Sequence, residues 1–246
     1  MIYFASDFHL GAPGLKDAAQ HEKRIRAWLQ SIRKDAKEVF LLGDLFDFWF
    51  EYKHVVPKGF LGFLSDLKQL SEQGIQLHIF KGNHDLWFRD YFEQELDAII
   101  YTDPVILERN GIQIYLAHGD GLGPGDRGYK AIKWAFTRPL FQWMFRWIHP
   151  DVGISIAQFW SKKSSQKSRE KDSLFLGEEK EWLIIHSKEL AEQNPDIKYM
   201  IYGHRHYPLA LDLNDSTQYI NLGDWIQSFT YAQLDGEELE LKRFIP

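Results

Sequence analysis

The 246-residue chain contains no cysteine, so disulfides, thiolate metal sites and a cysteine nucleophile are all excluded. Any metal must be held by oxygen and imidazole nitrogen. No apolar run approaches the ~18 residues that span a bilayer without interruption. The opening "MIYFASDFHL" lacks the basic and long apolar segments of a secretory signal and reads as a first strand. A cytoplasmic location is the expectation. Basic charge is also short: 29 Lys and Arg stand against 35 Asp and Glu, and the net charge of −6 argues against a general nucleic-acid coat. No nucleic-acid partner is expected.

What the chain does have is apolar and aromatic material, 44% and 15% of residues, enough to bury a core. With no fixed-period repeat and no flexible linker, residues 1–246 are expected to form one α/β domain carrying one insertion, at about 122–175. Ile25, Trp28, Leu29 and Ile32 recur at helical spacing and predict a helix over 17–33; Phe60, Phe63, Leu64 and Leu67 mark a second, closed by Gly74. Strands are expected at 1–6, in "EVFLLGD", in "IQLHIF", near 105–108 and at 112–117. After a helix near 177–192 come the short strand-like runs "IKYMIY", "LALDL", "QYINL", "FTYAQL" and "LELKRF". Alternating strands and helices followed by hairpins predict a layered α/β sandwich with a mixed sheet.

The run "LLGDLFDFWF" sets two acids, Asp44 and Asp47, among large apolar residues. A buried carboxylate must be paired, neutralised or given a metal. Each buried strand ends in a similar polar cluster: Asp7-Phe8-His9, Gly43-Asp44-Leu45-Phe46-Asp47, Gly82-Asn83-His84-Asp85, His118-Gly119-Asp120 and Gly203-His204-Arg205-His206. Ligands collect at the carboxyl ends of strands in open α/β sheets, so five such clusters can converge on one metal site.

This ordered set, D-x-H, G-D-x-x-D, G-N-H-D, H-G and G-H-x-H, resembles the calcineurin-like metallophosphoesterase family over residues 7 to 206. The resemblance implies an α-β-β-α sandwich and two divalent cations. One would be held by Asp7, His9 and His206, the other by Asn83, His118 and His204, with Asp44 bridging. Asp47, no ligand in the family pattern, would brace a neighbouring loop or histidine. Two such ions clamp phosphate oxygens and lower the pKa of water from about 15.7 towards neutrality, so no side-chain nucleophile is required. The donor set suits Mn, Fe or Zn, and the resemblance favours Mn2+. His84, oriented by Asp85, is expected to donate a proton or hydrogen bond to the phosphoryl or leaving-group oxygen.

Within the family, "GDLFDFWF", "HGDGLGPGDRGYK" and "NLGDW" resemble the UDP-2,3-diacylglucosamine diphosphatases, which release UMP and a diacylglucosamine 1-phosphate. That branch commonly carries Arg where this chain has His84. The resemblance implies substrate contacts at Asp126 and Tyr129, and a gapped match adds Ser164 and Lys171; Asn83 and His204 are expected to touch substrate as well. The insertion fits a lid over acyl chains: Leu140, Trp143, Met144, Trp147 and Ile148 fall at helical spacing, widened by Phe141 and Phe145 and punctuated by Lys130, Lys133, Arg138 and Arg146. The partner expected is a nucleotide-linked glycolipid, met by peripheral contact at the inner face of a membrane. The competing readings are a phosphodiesterase or phosphatase of another specificity and a non-enzymatic scaffold of the same fold.

Overall fold

A computed structural model describes residues 1–15, 17–123, 127–159, 161 and 175–245. Strand β1 (Ile2–Ala5) shows why the core strands are apolar at every position. Tyr3 and Ala5 pack into one cluster with the helices, while Ile2 and Phe4 pack into a second cluster between two sheets. Strands β2 (Glu38–Leu41) and β3 (Gln76–Phe80) divide their faces the same way, Val39, Leu41, Leu77 and Ile79 to one side, Phe40 and Phe80 to the other. A period of two with both faces covered is the pattern of buried, parallel sheet.

These strands run parallel with β4 (Ile99–Tyr101), while β10 (Thr230–Asp235) and β11 (Glu238–Arg243) add antiparallel on the other side, giving the order β11-β10-β1-β2-β3-β4. The second sheet has the order β5-β6-β7-β9-β8, from β5 (Val105–Arg109), β6 (Ile112–Ala117), β7 (Ile197–Tyr202), β8 (Leu209–Asp212) and β9 (Gln218–Asn221). Helices α1 (Ala18–Ile32), α2 (Leu61–Glu72) and α3 (Tyr91–Leu96) cross between the parallel strands and cover the first sheet. Asp17 caps α1 by accepting from the Gln20 N–H at 2.9 Å, and Ile25, Trp28, Leu29 and Ile32 form its buried face.

Between β6 and β7 lie α4 (Arg127–Phe136), α5 (Pro139–Arg146) and α6 (150–159). Pro139 and Pro150 stand at helix starts, where the missing N–H costs nothing. Helix α7 (Trp182–Gln193) covers the outer face of the second sheet through Leu183, Ile184 and Ala191. The result is the expected α-β-β-α layering. Three local readings change. Gly177, at φ +94°, opens a turn through 178–180, so the expected helix at 177–192 begins at Trp182. The six residues of α3 and three of β4 carry too little periodicity to be seen in sequence.

Trp225 ties the first core to the strand ends. It is fully buried, packs edge-on against Phe8 at 5.3 Å and lies 5.0 Å from Trp28, while its backbone N–H donates to the Asp7 carbonyl at 3.1 Å. Trp225→Ala is expected to destabilise the fold by about 3–5 kcal/mol. Urea unfolding of the variant measures this, and a loss within error of zero would contradict the packing described.

Candidate metal centre

The strand-end clusters meet at one edge of the sandwich, Asp7, His9, Asp44, Asp47, Asn83 and His84 from the first sheet and His118, His204 and His206 from the second. The chain must turn sharply as it leaves each strand. Among the described residues eight non-glycine positions adopt positive φ, and four of them are here: Asp7 (56°), His9 (46°), Asp44 (53°) and His204 (64°). Such backbone costs about 1–3 kcal/mol per residue and persists only where neighbours hold it. The loops hold one another: Asp7 and His9 N–H groups donate to the carbonyls of Gly43 and Asp44, and the Gly203 N–H to that of His118. Gly82 and Gly203 are needed for close approach, because a Cβ at Gly82 would overlap Asp44 and one at Gly203 would meet the Asp7 carboxylate.

Three groups of side chains place ligating atoms within 4.8 Å of one another: Asp7, His9 and His206; Asp44, His118 and His204; and His9, Asp44 and His84. The first gathers Asp7, His9 and His206; the second gathers His118 and His204 with Asp44, without Asn83, which the sequence reading sets beside them. Asp44 recurs in two groups, as a bridging carboxylate would. The third is new and puts His84 within ligating reach of both neighbours. Asn83 Oδ1 stands 3.1 Å from His118 Nε2, which is itself 3.4 Å from Asp44 Oδ2. His118 Nδ1 donates to the Leu42 carbonyl at 2.7 Å, which fixes the tautomer and turns Nε2 to the centre.

The electrostatics call for cations. Asp44 is 1% exposed, and Asp7 and Asp47 are also buried. Burial alone would raise their pKa values, but the surrounding histidines outweigh it and hold all three carboxyls below the usual range. Conversely, burial disfavours charge on His118, yet Asp44 and Asp7 push its pKa up to about 10, and Asp47, Asp7 and Asp44 raise His9 in the same sense. His204 moves the other way, lowered by burial and by the nearby His118. Asp7 Oδ1 and Asp47 Oδ1 are buried without a hydrogen-bond partner among the described residues. Asp7 Oδ1 lies 3.3 Å from His206 Nε2 and 3.6 Å from His9 Nε2, while Oδ2 is occupied by the His204 N–H. An acceptor left open between two imidazoles fits a divalent ion, and so does the oxygen and nitrogen donor set.

One expectation is corrected. Asp85 does not orient His84; its carboxylate accepts the backbone N–H groups of Gly82, Asp44, Leu45 and Phe46, clasping two loops together. Burial and the neighbouring Asp44 push its pKa up to about 7 against those bonds. His84 is instead held through Nδ1, which donates to the Asp47 carbonyl at 3.0 Å and lies 3.8 Å from Asp47 Oδ1. Asp47 thus braces His84 and also faces His9 Nδ1 at 3.8 Å. Its other oxygen takes the Ser161 hydroxyl at 2.5 Å, from beyond α6.

Other supporting residues escaped the sequence reading. Asp120, quoted there only as part of H-G-D, pairs with Lys133 at 2.6 Å, and Arg205 pairs with Glu181 at 2.9 Å. In "NLGDW" Asn221 donates to the Gly203 carbonyl at 2.7 Å, so this motif supports the G-H-x-H loop from behind. Of the expected substrate contacts, Asp126, Ser164 and Lys171 lie outside the described residues, and Tyr129 lies on α4 with its side chain outside the description.

A cavity of about 400 Å³ opens beside the centre, sharing Asn83, His84 and Asp47 with it and lined by Phe48, Trp87, Phe136 and Phe145. Phe145 turns inward from α5 onto Phe50 (4.8 Å) and Trp87 (4.7 Å). Ile148 of the predicted stripe and Ile156 of α6 also line this cavity, whereas Leu140 is 62% and Trp147 76% exposed, and Phe141, Trp143 and Met144 are exposed beside them, as are Val152 and Phe159 of α6.

The proton balance predicts how pH acts on chelator-treated protein. His118 rises on folding from 6.5 to about 10 and Asp85 from 3.8 to about 7. A group raised on folding contributes stability that is complete below its unfolded value and is lost as pH climbs through its folded one. The metal-free protein should therefore melt at progressively lower temperature as pH goes from 6.5 to 9, and stabilisation by added Mn2+, which replaces those protons, should grow over the same interval. Thermal melts with chelator and with Mn2+ test this; a melting temperature that climbs with pH under chelation would contradict it.

Residues 1–208 match the calcineurin-like phosphoesterase family. The chain is 37% identical to a UDP-2,3-diacylglucosamine hydrolase of Porphyromonas gingivalis over 252 residues, covering 98% of this chain and 96% of that one. It is 25% identical to proteins of the same name from Actinobacillus succinogenes and Yersinia pseudotuberculosis, with 98% of both chains covered in each case. A motif set in family order, an α-β-β-α sandwich that brings it together and a match over most of the length agree: the chain belongs to the calcineurin-like phosphoesterase family.

Proposed function

We propose that the protein hydrolyses the diphosphate of UDP-2,3-diacylglucosamine, giving UMP and 2,3-diacylglucosamine 1-phosphate. The observation that carries this reading is the aromatic-lined cavity sharing Asn83 and His84 with the ligand cluster. A water-soluble phosphoester does not call for an apolar chamber of that size beside the reacting group, whereas an acyl chain does. The curated relatives with this activity in their names support the same substrate.

In this reading Asp7, His9 and His206 would hold one ion and Asn83, His118 and His204 the other, with Asp44 shared between the two sets. Mn2+ is the proposed metal. Bound there, two dications supply Lewis-acid charge to the phosphate oxygens and lower the pKa of water. His84 keeps its Nδ1 proton on the Asp47 carbonyl, so it can donate from Nε2 only as the imidazolium. The Nε2 proton of that imidazolium would pass to the leaving phosphate oxygen, leaving the neutral ring on its Nδ1–H bond to the Asp47 carbonyl. Asn83 and His204 are proposed to touch the phosphates as well, and Asp126, Tyr129, Ser164 and Lys171 remain the proposed contacts to the sugar and its phosphate.

Residues 1–246 are read as one domain, with about 122–175 its lid. Among the described residues no helix is long and apolar enough to cross a membrane. The outward Leu, Trp, Met and Phe side chains of α5 and α6 suit a surface that rests in the interface of a bilayer, with Arg138, stacked on Trp134 at 4.4 Å, and Arg146 at its border. The substrate would enter from the cytoplasmic face of the inner membrane.

Three measurements test this. UMP release from the diacylated UDP-sugar should greatly exceed release from UDP-N-acetylglucosamine; equal rates would remove the lipid from the substrate. His84→Ala should retain metal and lower turnover by about 10²- to 10⁴-fold, and a near-normal rate would take it out of the mechanism. Asp44→Ala should lose metal along with rate, so unchanged metal content by elemental analysis would count against bridging.

A further inference from the structure

A second cavity, of about 500 Å³, adjoins the centre on the side of His118 and differs in chemistry from the apolar one. The two share a single wall residue, Leu86. Three lysines, Lys81, Lys130 and Lys133, line this second cavity together with Asp103 and Asp120, and the field at Lys81 also includes the carboxylates of Glu51, Glu93 and Asp85. Lys81 leaves β3 just before Gly82-Asn83-His84, and its Nζ makes no hydrogen bond or ion pair among the described residues. Lys130 and Lys133 are fixed to the H-G-D loop, Lys130 by the Gly123 carbonyl at 2.6 Å and Lys133 by the Asp120 carboxylate. On α4 Lys133 and Trp134 stand three and four positions after Lys130, so one helical face is turned to the cavity, with Thr137 just beyond the helix. Its aromatic member, Trp134, is 58% exposed, with the Arg138 guanidinium over one face of the ring at 4.4 Å.

We infer that this lysine-lined cavity receives the nucleoside 5′-phosphate half of the substrate, its ammonium groups facing the phosphate and Trp134 the base. The inference rests on the proposed function and deepens it. A diphosphate joining an acylated sugar to a nucleoside must lie at the metal ligands and send two unlike halves away from them. The aromatic chamber suits the acyl half and repels a hydrated anion; the cationic cavity, with a stacking surface at its rim, suits the other. Phosphate at the His118 edge would bring both halves into reach of one centre.

Calorimetric titration of UMP, uridine and inorganic phosphate into Mn2+-loaded protein tests the assignment without relying on turnover. UMP should bind at least about tenfold more tightly than inorganic phosphate, and Lys81→Gln should weaken UMP by about tenfold, the scale of one charged hydrogen bond. Trp134→Ala, an exposed position whose loss spares the core, should bring UMP towards the affinity of phosphate. Melting temperatures of both variants guard against misfolding. UMP no tighter than phosphate in the wild type, or unchanged in both variants, would overturn the subsite. Release of UMP from the diacylated substrate, measured alongside, judges the proposed function separately: tight UMP binding without such release would count against that substrate and leave the nucleotide cavity standing.

Discussion

Three buried carboxylates, Asp7, Asp44 and Asp47, set the terms for the rest of the molecule. Taken from water without partners, such groups would be prohibitively costly. Here they are surrounded by imidazoles and backbone N–H groups, and two of their oxygens have no hydrogen-bond partner among the described residues. The negative field that draws a proton onto His118 is the field that would retain a dication. The fold supplies an edge where both sheets present parallel strand ends, the one arrangement in which five distant loops can meet without threading across one another.

Holding that edge together requires strain and its compensation. Left-handed backbone at four of the assembled residues aims their side chains inward, and neighbouring loops restrain it by exchanging backbone hydrogen bonds. Asp85 acts as a clasp, joining the G-D-x-x-D and G-N-H-D loops through four N–H groups. Asn221 and Trp225 brace the G-H-x-H and D-x-H loops from β9 and its continuation. Preorganisation of this kind fixes the ligand atoms before any ion arrives.

The helices between β6 and β7 extend the site in a different currency. They are not a hydrophobic core turned outward by accident: Phe136 and Phe145 face the reaction chamber while Trp143 and Trp147 face solvent, so the same insertion has an inner and an outer apolar surface. The inner surface lines the cavity that includes His84, and the outer one exposes Leu140, Trp143, Met144 and Trp147. Ser161 links this segment to the centre by its bond to Asp47.

Much of this was legible in the chain. Short apolar runs, each closed by a polar cluster, marked the buried strands, and the acids and histidines in those clusters pointed to metal chemistry, because no thiol was present and ordinary packing gives no reason for such groups at five strand ends. Which oxygen faces which imidazole was decided only in three dimensions. Asp85 adjoins His84 in sequence and Asp47 does not, yet Asp85 clasps backbone while the Asp47 carbonyl holds the ring, since the outcome depends on which groups the folded loops bring together. The stripe on α5 likewise announced an apolar face without saying where it points. That direction is set by the packing of Phe145 on Phe50 and Trp87, residues far away in sequence, and periodicity along one helix carries no information about its neighbours.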